Sequence, residues 1–208
     1  MAEHIDGNRL NTDLRYRFEY LSKFLDFDSD DIAMLNTFAP IVFPLIPGLS
    51  ETVYRKLFSF DITKHHFLQT KHCNVTLDSV HMEVQRDMLS LYLKRILTQD
   101  DWNDSFLQYL SQVGHMHTNQ SGSRSINVDY VHVNALLSYL QHLLIDVLYG
   151  AETMDERTKR GVLMAVNKFF CIQNDFFALH YLLPLREQQQ QQQAEKTSTC
   201  CGFFSRAD

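Results

Sequence analysis

Apolar residues recur at spacings of three and four along most of the chain, the signature of helices with one buried face. In "TDLRYRFEYLSKFLDF", Leu14, Phe18, Leu21 and Leu25 form one such stripe. "DSDDIAMLNTFAPIVFPLIPGL" opens on acidic and serine residues suited to an N-cap and first turn, then carries Ile32, Leu35 and Phe38. Pro40, Pro44 and Pro47 interrupt it, which predicts a kink or an end there. "SETVYRKLFSF" predicts a short helix capped by Ser50 with Glu51 in its first turn, and "KHHFLQTKHCN" shows no clear period. Four long helices follow. "TLDSVHMEVQRDMLSLYLKRILTQ" places Val84, Met88, Leu91 and Tyr92 on one side, and "DDWNDSFLQYLSQVGHMHT" is the second. "NVDYVHVNALLSYLQHLLIDVLYG" is ended by Gly150, and "DERTKRGVLMAVNKFFCIQNDFFALHYLL" is expected to stop before Pro184. "NQSGSRS" between the second and third is a polar loop. The expected body is therefore all-α, with about seven or eight helices over residues 10–185.

The composition changes after Pro184. "REQQQQQQAEKTSTCCGFFSRAD" is low in complexity, and residues 186–208 are expected to be a disordered, polyglutamine-containing tail. Seven glycines and four prolines in 208 residues favour long helices over many short strands, and 15 phenylalanines and nine tyrosines make the core aromatic. One domain of this size can bury a core around a small molecule. The net charge of −6 and the lack of a Lys/Arg run argue against a nucleic-acid face. "MAEHIDGNRL" has no signal-peptide pattern, and no uninterrupted apolar run reaches the ~18 residues of a spanning helix. Cys73, Cys171, Cys200 and Cys201 show neither zinc spacing nor a disulfide framework, so a cytoplasmic protein with reduced thiols is expected.

Candidate chemistry concentrates in "QVGHMHTNQSGSRS". At about 100° per residue, with Phe106 at zero, Leu110 falls near 40°, Val113 near −20° and His117 near 20°. His117 continues the apolar stripe, whereas His115 falls on the opposite face, so a regular helix cannot aim both at one metal. An inward histidine at a helix end is either hydrogen-bonded to a carbonyl or a ligand. A single protein ligand suits haem iron, whose porphyrin supplies four nitrogens, better than structural zinc. His65, His66, His72 and Cys73 fit no compact Cys/His pattern and read as a solvated loop. His81, seven residues before Met88, is a candidate sixth ligand or a surface histidine.

Three stretches, in order, resemble the globin-sensor and protoglobin family of haem globins with an extra N-terminal helix. They are "RFEYLSKFLDFDSDDIAML", "ETVYRKLF" and "YLSQVGHMH", within a likeness covering about residues 12–180. The resemblance implies a globin fold, haem b as cofactor and His117 as the iron ligand. It also implies Tyr54 as the hydrogen-bond donor to a bound gas, with Met88 and Tyr92 walling that side. Phe106, Leu110 and Val113 would pack against the porphyrin on the other. A diatomic gas (dioxygen, NO or CO) and a homodimer through the C-terminal helices are the implied partners. The rival readings are a cofactor-free all-α interaction module and a haem-dependent oxidoreductase. No charged acid–base pair is visible to support the last, so a gas sensor or gas-binding protein rather than an enzyme is expected. "CCGFF" offers Cys200 and Cys201 for S-acylation and peripheral membrane attachment.

Overall fold

A computed structural model of the chain describes residues 2–68, 76–119 and 127–203, with side chains as far as Leu185 in the last segment and excluding that of Leu68. His72 and Cys73 lie outside the described residues. The described residues are all-α without a strand: α1 (Arg9–Thr12), α2 (Leu14–Leu25), α3 (Ser29–Val42), α4 (Ile46–Phe58), α5 (Asp61–Leu68), α6 (Val80–Thr98), α7 (Asp104–Met116), α8 (Tyr130–Tyr149) and α9 (Glu156–Phe203). A 3-10 turn, Phe43–Leu45, joins α3 to α4. α9 is the spine, against which α3, α7 and α8 pack, while α6 packs on α3 and α4.

Local chemistry sets most boundaries. Asp13 caps α2 by accepting the Tyr16 N–H. Asp28 and Asp31 form a reciprocal capping box at α3. Asn103 caps α7 through the Phe106 N–H. Trp102, just before that cap, is buried between Phe18, Phe27, Phe106 and Phe169, with ring centroids 4.7–6.2 Å away. This aromatic cluster ties α2, α7 and α9 together.

Several expectations fail for identifiable reasons. Pro40 does not end α3: it sits exposed in the last turn, where one missing N–H is tolerated. Pro44 and Pro47 stand in the opening turns of the next two elements, where proline N–H groups are not needed. Ser50 is therefore not a cap; it is buried within α4, 3.0 Å from Ser90 of α6. On α6, Val84, Met88 and Leu91 are largely exposed, while the neighbouring Tyr92 is buried with Met82, Leu93 and Ile96. α9 passes Pro184 and continues as helix through the glutamines to Phe203. Glutamine favours helix, and a helix already nucleated by packed turns absorbs one lost bond. The side chains of Cys200 and Cys201 lie outside the described residues.

Counting uninterrupted apolar runs also understates the helices. Ser29–Phe58, Tyr130–Tyr149 and Glu156–Leu185 are long and apolar enough, by length and composition, to cross a membrane. In the fold they supply core residues such as Phe38, Val42, Leu137, Leu144, Phe169 and Phe176.

One buried ion pair links α3 to the spine. Lys168 Nζ of α9 donates to Asp31 Oδ2 at 2.8 Å and to the Asp26 carbonyl at 2.6 Å, with Asp31 7 % exposed. Removing one partner strands the other charge. Asp31→Ala is expected to cost about 3 kcal/mol and lower Tm by about 6–12 °C in calorimetry. The double change with Lys168→Met should recover part of that loss.

Candidate functional site

The end of α7 builds the site. Its last carbonyls have no partners within the helix, and the Val113 carbonyl is 2.8 Å from Nδ1 of His117, the C-cap residue. A carbonyl only accepts, so Nδ1 carries the proton. That leaves Nε2, on the far edge of the ring, with a lone pair for another partner. The His117 carbonyl accepts from the Val128 N–H at 2.9 Å and from the Tyr181 hydroxyl at 3.0 Å. Phe177 of α9 meets the imidazole edge to face at 5.2 Å between centroids. The ring is thus fixed in tautomer and in orientation. Burial pushes its pKa down, partly opposed by the Val113 bond.

His117 opens onto a partly open cavity of about 250 Å³. Tyr109, Val113 and Met116 of α7 flank the histidine; Val53, Tyr54 and Leu57 of α4 form another wall. α6 contributes Gln85, Met88, Leu89 and Tyr92, and α8 contributes Val133, Leu136, Leu137 and Leu140. His66 of α5 and His132 of α8 also line it. No Asp, Glu, Lys or Arg occurs in the lining among the described residues.

The structure brings His117, Tyr54, Met88, Tyr92 and Val113 to one cavity. Phe106 and Leu110 do not line it; they are buried in the core. At about 100° per residue the cavity-lining Tyr109, Val113 and Met116 fall on one side of His117 and Leu110 on the other, toward the core. His81 is not in the lining, and His115 lies edge to face against His180, 5.2 Å between centroids. Tyr54 donates its hydroxyl proton to the Gln85 carbonyl at 3.0 Å, and burial pushes its pKa up. Tyr92 donates to the buried Gln173 at 3.3 Å. Tyr109, covered by the Arg95 guanidinium at 3.8 Å, was not anticipated from sequence. Nor were His66, which reads as loop, and His132, although His132, Leu136 and Leu140 recur every fourth residue on α8.

A family model described as Protoglobin matches residues 14–187, most of the chain. The chain belongs to the protoglobin family. Among solved structures it is similar to the globin domain of the Geobacter sulfurreducens globin-coupled sensor, at 16 % identity over 78 % of this chain and 96 % of that one, TM-score 0.62. It is also similar to the ferric globin domain of the E. coli DosC, at 13 % identity over 77 % of this chain and 96 % of that one, TM-score 0.55. These likenesses show that the fold is a globin fold. No curated protein sequence matches.

A protoglobin implies haem, and the residues here fit one. The cavity is apolar and walled by aromatic and aliphatic side chains. It presents one imidazole whose second nitrogen is already committed to a carbonyl, the arrangement that orients a metal-ligating histidine.

Three histidines around the site have pKa values lowered from 6.5, in each case chiefly by burial: His66, His117 and His180. The unfolded chain takes up protons at these positions as pH falls through about 6.5, whereas the folded protein resists until its lower values are reached. Stability therefore falls as pH drops below about 6.5 and levels off below the native pKa values. The urea midpoint of the haem-free protein is expected to be lower at pH 5.5 than at pH 7.5; an unchanged or higher midpoint contradicts this.

Proposed function

We propose that this protoglobin binds haem b through Nε2 of His117 and takes a diatomic gas on the opposite face of the iron, as a gas sensor or gas-binding protein. When bound, the haem would supply an iron centre able to take up a gas, held to the protein by His117. The observation that carries this reading is the His117 imidazole, locked through Nδ1 to Val113 at the wall of an apolar cavity. Val113 flanks the imidazole, and Met88 and Tyr92 line the same space from α6. Tyr54 is the donor proposed for the gas, its hydroxyl turning from the Gln85 carbonyl to do so.

A cofactor-free interaction module gives no account of the open cavity. Pairing of two copies through α8 and α9 is part of the proposal, supported by the exposed Val131, Tyr149, Met164 and Leu182 on those helices. The test is spectroscopic. Reduced, haem-loaded protein exposed to carbon monoxide should show a sharp shift of its Soret band. A spectrum indifferent to carbon monoxide, NO and dioxygen contradicts gas binding.

A further inference from the structure

His66 and His132 are the feature of the cavity that the axial chemistry does not use. They come from different helices, α5 and the first turn of α8, and their rings meet at 6.1 Å between centroids with planes 60° apart. Both line the cavity. Nε2 of each is shielded from solvent and has no hydrogen-bond partner among the described residues. Two unpaired ring nitrogens on neighbouring imidazoles in an apolar wall call for a ligand.

The chemistry of the surroundings narrows what that ligand is. Two imidazoles are half of a zinc coordination set, and no group of three or more metal-ligating side chains occurs among the described residues. The other polar side chains of the wall are mostly committed. Thr63 donates to the Leu57 carbonyl, Tyr54 to the Gln85 carbonyl and Tyr92 to Gln173. With no Lys or Arg in the lining among the described residues, the two histidines, the Gln85 amide and the Tyr109 hydroxyl remain to face an anion, and only the histidines stand as a pair. Haem b is an apolar macrocycle with carboxylates on one edge.

We infer that His66 and His132 form a carboxylate clamp, their Nε2–H groups donating to the propionate edge of the haem that His117 holds. The inference rests on the haem reading. It makes the pair a specificity element, selecting a carboxylate-bearing porphyrin over an uncharged one. It also gives α5 a role in retaining the cofactor.

The experiment loads the full chain, wild type and the His66→Leu/His132→Leu double variant, with haem b or with its dimethyl ester. Dissociation of each into an excess of a competing apoglobin is then followed. The double variant should lose haem b about 10- to 100-fold faster than wild type, because hydrogen bonds to charged groups are the stronger kind. The two proteins should lose the ester at similar rates. Should the double variant not fold, wild type alone still discriminates: it should release the ester faster than haem b. Equal retention of both porphyrins by wild type overturns the clamp while leaving haem binding intact. A change in the number of axial iron ligands in the ferric spectrum of the double variant overturns it too, by making one histidine an iron ligand. A wild-type protein that takes up neither porphyrin overturns both readings together.

Discussion

His117→Gly should cost the protein its haem. With the imidazole gone, no other described side chain at the end of α7 offers an oriented nitrogen to the cavity, and affinity should fall by more than about 100-fold, beyond the usual effect of losing an outer hydrogen-bond partner. The Soret band of the purified protein should be weak or absent. Added imidazole, small enough to enter the space the side chain leaves, should restore it. His115→Ala is the control. That side chain is turned toward His180 rather than the cavity, and its loss should leave the Soret band unchanged. A His117→Gly protein that keeps a wild-type spectrum contradicts the assignment, and equal loss in both variants points to misfolding rather than ligation.

Gly114→Val should destabilise the fold strongly. At this glycine the α7 backbone lies directly against α9. A Cβ there would stand 3.2 Å from the Phe176 carbonyl oxygen, 3.2 Å from Phe177 Cα and 3.2 Å from His180 Cδ2. Two of those three atoms are backbone and cannot rotate aside. Ordinary helix propensity would favour replacing the glycine, since glycine costs about 1 kcal/mol in a helix interior relative to alanine. Overpacking by two or more carbons outweighs that gain. The expected loss is about 3 kcal/mol, or about 6–12 °C in Tm by calorimetry. Because Phe177 also braces His117, haem should dissociate faster from the folded fraction. An unchanged or raised Tm would show that α9 yields at this contact.

How much of this was legible in the sequence depends on what each residue's neighbours decide. His117 could be read from period alone, because α7 has one clear apolar face and the histidine continues it. Phe106 and Leu110 lie near that face, yet the cavity takes only the side of it that carries Tyr109, Val113 and Met116, and both are packed in the core instead. On α6, apolar residues occur all round, so the wheel could not choose between the face of Val84 and Leu91 and the buried one of Met82, Leu93 and Ile96. α5 is too short to show a period, which hid His66. His132 was in reach, because Leu136 and Leu140 follow it at four-residue steps. Proline rules failed at Pro40 and Pro184, where an exposed last turn in one case and an already packed helix in the other outweighed one missing bond. The hydrogen bond from His117 to Val113 could not be seen in sequence at all. It depends on the helix ending one residue before the histidine.

The account turns on whether this chain takes up haem. Haem-free protein titrated with hemin should develop a Soret band that saturates at one haem per chain, with a spectrum distinct from free hemin. A linear rise of the free hemin spectrum, with no saturation at any ratio, would contradict it.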